Sequence, residues 1–381
     1  MKKNLILLSI STLFSILILE MGLRWFTVFP IHSTSNTISD DKLGYKLDPV
    51  LKDVDEAGFR NPQLMPQADI VALGDSHTQG FNVASEDSWP QQLARKLNKT
   101  IYNLGIGGYG ILQYQLLLDE AIKLKPKYII LGLYLPNDYS NVCETLRGVG
   151  FWTHWAQQND INLELCPPFH PLYQKSNDEL GLRTLIKNTA IGSMVKYFIW
   201  DHISMWFYFK FWDPIKVWAL SHINPSSQII INDKNHITII KYDEIMFYEK
   251  IMDINSPNIS LGFEIAKEFM REAKRKVDFN KIQFLVLFIP SKETVFYNYL
   301  TEKNFELPPQ YHQLVKNETE LKVKMSYFLD KIKIEYVDVF PYLVEILNTG
   351  QIYPSRGDDH PLQMGYEAYA KAAYDGLMEL K

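Results

Sequence analysis

The segment A68-D-I-V-A-L-G-D-S-H-T-Q-G80 decides how the rest of the chain is read. Ile70 to Leu73 form a β-branched, apolar run that stops at Gly74. Such a run, bounded by glycine, reads as a fully buried strand of a parallel sheet. Asp75, Ser76 and His77 then stand at the strand's carboxyl end, where open α/β sheets place their ligands. Ser76 is open to two readings there: an exposed nucleophile, or the N-cap of the next helix.

Working outward, strand and helix alternate. The expected strands are 68–74, 100–105, 127–135, 282–290 and 334–340, and the expected helices are 86–97, 111–124, 259–276, 318–331 and 362–379. The helices carry one apolar face each, such as Leu261, Ile265, Phe269 and Ala273, or Met325, Phe328, Leu329 and Ile332, or Tyr366, Tyr369, Ala370, Ala373 and Leu377. This order predicts a three-layer α/β/α domain around a mostly parallel five-stranded sheet. Its two parts are expected at 68–141 and 257–381, after a linker at 27–67. Residues 142–256 break the alternation and read as an aromatic-rich insertion. It holds a hairpin around 232–235 and an aromatic helix at 194–212, open to service as a lid, a substrate groove or a membrane-surface contact.

The N-terminus begins Met-Lys-Lys and runs apolar from Leu5 to Leu19, with Glu20, Arg24 and Trp25 following. Counted through residue 26, the stretch approaches the ~20 residues that span a bilayer. No small-x-small cleavage pattern follows. A signal anchor over 1–26 is the expectation, with a cleaved signal or a buried helix as alternatives. The paired lysines place the body outside the cytoplasm, periplasmic or at the cell surface. Cys143 and Cys166 are the only cysteines, too few for zinc or redox motifs. They are open to pairing in an oxidising compartment or to burial as thiols. A net charge of −5 gives no reason to expect nucleic acid.

The chemistry-bearing residues follow strands. "NLGIGGYG" (103–110) fits G-x-G-x-x-G, but it follows the second strand, and no acid lies ~20 residues on for a ribose. A nucleotide is therefore not expected, nor any cofactor or metal. The alternative is that these glycines offer N–H groups to a developing oxyanion. "PND" (136–138), "PSKE" (290–293) and "GDDHP" (357–361) follow the later strands.

Gly74-Asp75-Ser76, Gly108, Asn137-Asp138 and His360, in that order, resemble the SGNH/GDSL hydrolase superfamily. The membrane-anchored layout and "LFIPSKETVFY" (287–297) resemble members linked to surface-polysaccharide acylation, alginate O-acetyltransferase-like ones among them. The resemblance covers roughly 60–145 and 278–381. It implies Ser76 as nucleophile, His360 as general base, Asp358 as its acid with Asp359 the alternative, and the Ser76 and Gly108 N–H groups with the Asn137 amide as oxyanion donors. The departures are His77 where leucine is usual, Leu135 where glycine is usual, and Gly357 where the acid is usual. Asp75 reads as a turn residue. His77 and Lys292 are candidate substrate contacts, with a solvated loop the other reading of 292–293. The expected function is an esterase acting on O-acyl, above all O-acetyl, groups of a cell-surface glycan. The alternatives are an O-acetyltransferase using the same acyl-enzyme and an inactive glycan-binding scaffold.

Overall fold

The structure is a computed structural model that describes residues 37–51, 53–168, 228–232, 237–354 and 358–380, together with Ser15. The expected anchor over 1–26, the aromatic helix at 194–212 and Gly357 lie outside the described residues. Among the described residues, no helix is long and apolar enough to cross a membrane.

Five strands build the central sheet: β3 (Ile70–Gly74), β4 (Ile101–Asn103), β5 (Tyr128–Tyr134), β8 (Gln283–Ile289) and β9 (Glu335–Asp338). Their spatial order is β4-β3-β5-β8-β9, and every pairing is parallel. β3 is buried along its whole length, and so are β5 and β8 beyond their first residues. Helices cover both faces, so these strands have no polar face and their sequences show no alternation.

On one face lie the helices Trp89–Leu97, Phe340–Ile346 and Gln363–Glu379; on the other lie Ile111–Lys123, Pro257–Phe279 and Pro309–Ile332. In Pro257–Phe279 the buried positions Ile259, Phe263, Ala266, Met270, Ala273 and Val277 recur every three or four residues, the spacing of one helical stripe. The chain runs from β3 to β4 on one side and then to β5 on the other. The loops after β3 and β5 therefore diverge, opening the crevice at which doubly wound sheets bind ligands.

Two further pairs of strands are antiparallel. β1 (Thr37–Asp40) and β2 (Gly44–Leu47) form a hairpin inside the stretch expected as a linker. β6 (Gln228–Asn232) pairs with β7 (Ile237–Lys241) at the expected hairpin, and the helix Tyr242–Ile251 follows directly. The helix expected at 318–331 starts earlier, at Pro309. A further helix, Lys292–Glu302, occupies the position read as a loop, its first turn capped by the Ser291 hydroxyl, which accepts from the Thr294 N–H.

Cys143, in the helix Asn141–Gly148, is bonded to Cys166, with Cα atoms 5.2 Å apart. Arg147 Nη2 donates to the Leu163 and Cys166 carbonyls beside the bridge. Closing a loop of this length is worth ~3 kcal/mol in the chain-entropy account. A Cys143→Ser/Cys166→Ser variant is expected to lose about that much unfolding free energy, read from a lower urea midpoint, with the reduced wild-type protein matching it. Equal unfolding midpoints with and without reductant would contradict this.

Candidate active site

The carboxyl ends of β3, β4, β5 and β8, with the loop before the helix Gln363–Glu379, converge on one rim. After β3 the chain turns at once into a short helix, Ser76–Gln79, capped by Asp75. Asp75 Oδ1 accepts the His77 N–H at 2.9 Å, so its carboxylate shapes the turn. Gly74 sits at φ +155°, and a Cβ there would lie 2.1 Å from Thr78 Oγ1, so no other residue admits this tight a return.

Ser76, His360 and Asp358 form a continuous chain of hydrogen bonds. Ser76 Oγ lies 2.7 Å from His360 Nε2, and His360 Nδ1 lies 2.8 Å from Asp358 Oδ1. The same Asp358 oxygen accepts the His360 backbone N–H at 3.0 Å, which folds residues 358–360 into a turn. The Asn82 amide donates to the His360 carbonyl at 3.0 Å and ties this loop to the nucleophile turn. Asp359 also reaches the imidazole, its Oδ1 lying 3.3 Å from Nδ1.

Burial disfavours a charged imidazole, but the negative charges of Asp359 and Asp358 outweigh it and raise His360 to about 9. Burial alone would also raise Asp358; the hydrogen bonds from His360 and its charge hold the carboxyl down at about 2. Asp359 is likewise held low, against burial, by the His360 charge first, and by the Tyr248 hydroxyl and the Lys292 charge. An imidazole in this setting is a strong base once deprotonated, and the imidazolium it becomes is well stabilised.

The oxyanion candidates lie in the neighbouring loops. A Cβ placed on Gly107 would stand 3.4 Å from the Ser76 Cβ, which fixes how close the glycine loop runs to the nucleophile. Gly108 is exposed at φ +81°, and its N–H has no acceptor among the described residues. After β5, Asp138 is buried and accepts from the Tyr114 hydroxyl and the Tyr134 N–H, both at 2.8 Å, which sets the Pro136-Asn137-Asp138 turn. Asn137 Oδ1 is buried without a partner among the described residues. No hydrogen bond joins Asn137 or Gly108 to Ser76.

Two candidates sit deeper than a surface contact. His77 is buried, with its ring 3.9 Å from Tyr134 and 4.9 Å from His360, and its Nδ1 is 3.2 Å from the Tyr369 hydroxyl. Burial first, then the adjacent His360 charge, push its pKa down to about 3, so it is a neutral ring. It packs behind His360 and is not placed to take the Ser76 proton. The solvated-loop reading of 292–293 is corrected. The Lys292 side chain is fully buried, 3.6 Å from Glu244 and 3.8 Å from Glu293. The helix Lys292–Glu302 draws it inward, where a lysine needs acids beside it.

Sequence reasoning missed the supports. The hairpin and residues 53–61 brace both active turns. Tyr45 donates to the Gly107 carbonyl at 2.6 Å, Asn61 exchanges hydrogen bonds with the Asn103 backbone, and Arg60 donates to the Gly80 and Val83 carbonyls. Tyr134 was findable as the last residue of β5, at the rim; Arg60, Tyr45 and Tyr248 carry no signal in sequence.

Residues 72–162 match the GDSL-like Lipase/Acylhydrolase family. No curated protein matches the chain. Among solved structures, it is similar to a GDSL-like lipase from Bacteroides thetaiotaomicron, with 10% identity, 82% of this chain and 88% of that one covered, and a TM-score of 0.36. A member of the lipolytic G-D-S-L family from Veillonella parvula shares 11% identity over 80% and 96% of the two chains, with a TM-score of 0.35. An acetylxylan esterase from Geobacillus stearothermophilus, as a catalytic mutant, shares 10% over 82% and 95%, with a TM-score of 0.37. The family match spans the nucleophile turn, the glycine loop and the Asn137 turn, and the chain is a hydrolase acting on ester bonds, similar over these residues to the GDSL-like acylhydrolases.

Proposed function

We propose that this chain is an extracytoplasmic esterase that removes O-acyl, chiefly O-acetyl, groups from a cell-surface glycan through an acyl-enzyme on Ser76. The observation that carries the catalytic part is the unbroken Ser76–His360–Asp358 chain at 2.7 and 2.8 Å. Ser76 Oγ attacks the ester carbonyl carbon while His360 Nε2 takes its proton. The tetrahedral oxyanion is held by the Ser76 and Gly108 N–H groups and the Asn137 amide, each worth about 10²–10³ in rate. Collapse breaks the bond to the alcohol, which leaves with the proton from His360. Water then attacks the acyl carbon as His360 takes its proton; the bond to Ser76 Oγ breaks, His360 returns the proton to Oγ, and the acid leaves. Asp358 keeps the Nδ1 proton in place and stabilises the imidazolium.

The glycan rests on the resemblance of the anchored layout and of residues 287–297 to polysaccharide-acylating proteins. The location rests on Lys2, Lys3 and the apolar stretch after them, and the Cys143–Cys166 bridge supports it, since such bridges persist outside the reducing cytoplasm.

The test is the full-length protein in detergent with an activated acetyl ester, with and without an acetylated or free glycan, beside Ser76→Ala. Serine-dependent acetate release and a trapped acetyl-Ser76 are expected. Transfer to the glycan exceeding release to water would replace hydrolase with transferase. No serine-dependent acyl-enzyme on any ester would overturn the reading and leave the inactive scaffold. Protease digestion of intact cells and spheroplasts is expected to remove the body from the outer side only; digestion confined to the cytoplasmic side would overturn the location.

A further inference from the structure

Asp359 makes contacts that a spare acid would not need. Its Oδ1 faces His360 Nδ1 at 3.3 Å, while its Oδ2 accepts two hydroxyls, Tyr134 at 2.9 Å and Tyr248 at 2.5 Å. Asp358 meanwhile has its own 2.8 Å bond to the same nitrogen. Asp358 is thus the hydrogen-bonded partner of Nδ1, and Asp359, from the adjacent residue, lies at ion-pair distance from the same nitrogen. Tyr134 ends β5, whereas Tyr248 lies on the helix Tyr242–Ile251, which closes the segment expected as an insertion. A carboxylate crowded against a second one would protonate or swing away. Two O–H donors on one oxygen hold it ionised and aimed.

We propose that Asp359 is a second, positioning carboxylate for His360, fixed by the Tyr134 and Tyr248 hydroxyls, so that the helix Tyr242–Ile251 is part of the triad's support. The inference rests on the Ser76–His360–Asp358 reading above. It changes what the second acid does: Asp359 complements Asp358 and does not substitute for it.

The charges facing this pair come from every neighbouring element. The nucleophile turn contributes Asp75 and neutral His77. The helix Lys292–Glu302 contributes Lys292, which favours the ionised Asp359, and Glu293, which is pushed up to about 7 by burial. β7 contributes Lys241, near Asp358, and the helix after it Glu244, paired with Lys241 and Lys292. Tyr366 and Tyr369, from the helix Gln363–Glu379, and Tyr353 are held neutral by burial. The balance around His360 is negative. The base must be neutral to accept the Ser76 proton, so activity is present above the His360 pKa and lost as pH falls through it.

The test compares the wild-type full-length chain with Asp359→Asn, Asp358→Asn and Tyr248→Phe, reading kcat/KM against pH on the activated acetyl ester. The His360 ring is also titrated by NMR in the Ser76→Ala background, which needs no turnover. For wild type the acid limb is expected well above the ordinary histidine value of about 6.5. Asp359→Asn is expected to lower both the limb and the NMR midpoint by about one pH unit or more. Its alkaline kcat should fall at least tenfold less than that of Asp358→Asn. Tyr248→Phe is expected to lower kcat several-fold with KM unchanged.

A midpoint unmoved by Asp359→Asn sinks the pairing whatever the turnover. Equal losses for Asp358→Asn and Asp359→Asn at every pH also sink it, because Asp359 would then share the acid's own role. An unaltered Tyr248→Phe removes the helix from the arrangement and overturns the proposal as stated. Absent turnover with a displaced midpoint sinks the esterase reading and leaves the pairing standing.

Discussion

Ser76→Ala is expected to reduce ester turnover about 10⁶-fold in kcat while leaving the fold intact. The size follows from the unit the residue belongs to. Without Oγ there is no acyl-enzyme, and His360 and Asp358 lose the group they activate. His360→Ala should cost about as much, and the double variant little more, because a broken relay cannot be broken twice. The fold should survive because Ser76 Oγ contributes little to the turn. Its contacts are His360 at 2.7 Å and Asp75 at a marginal 3.5 Å, whereas the turn itself is closed by Asp75 on the His77 N–H. An alanine also suits the first position of a helix. The check is burst kinetics and mass spectrometry of the trapped acyl-enzyme, beside a urea unfolding curve. A Ser76→Ala enzyme with a tenth of wild-type activity, or a burst of unchanged amplitude, would move the nucleophile elsewhere.

The sheet was legible because buried parallel strands have only one kind of environment. β3, β5 and β8 meet helices on both sides, so their sequences are unbroken apolar runs, and those runs were findable to within two residues at each end. The helix Pro309–Ile332 was only half legible. Its second half keeps the apolar spacing of Met325, Phe328 and Leu329, but its first half buries Asn317 and Glu318. Glu318 accepts the Ser291 N–H and hydroxyl and the Thr294 hydroxyl, and Asn317 donates to the Glu249 carbonyl. Polar residues placed inside by such bonds erase the stripe that periodicity looks for. The hairpin at 37–47 has strands of only four residues each, too short for an alternating pattern to stand out, so it reads as linker.

In the site, the residues that follow strands were findable and their partners were not. Ser76, Gly108, Asn137 and His360 stand where the topology delivers ligand-facing groups. The resemblance names Asp358 with Asp359 as the alternative acid, and residues 358–360 are turned, with the His360 N–H folded onto Asp358. That turn is why both carboxylates reach one nitrogen. Tyr248 lies 111 residues from Asp359 in sequence. No local pattern encodes a contact of that range; it appears only when the helix Tyr242–Ile251 is laid against the rim.

Arg60→Met is expected to destabilise the protein by about 3–5 kcal/mol and to lower activity with it. Arg60 is 1% exposed. Its Nε donates to Asp53 at 2.7 Å, Nη1 to the Gly80 carbonyl at 2.5 Å, and Nη2 to the Val83 carbonyl at 2.9 Å. Gly80 ends the helix that begins at Ser76, in a left-handed conformation that leaves its carbonyl facing inward. Methionine fills much of the volume but donates nothing, so a half-buried carboxylate and two carbonyls lose their partners at once. Unmet buried acceptors, more than the lost attraction, set the size of the penalty. Lysine should not rescue it, because one ammonium lacks the guanidinium's planar fork and cannot serve acceptors in three directions. Neutralising the stranded acid should help: Arg60→Met/Asp53→Asn is expected to be more stable than Arg60→Met alone. The measurement is the urea midpoint of all four proteins together with kcat of the folded fraction. An Arg60→Met midpoint equal to wild type would mean that the stretch before β3 rests against the nucleophile turn without holding it.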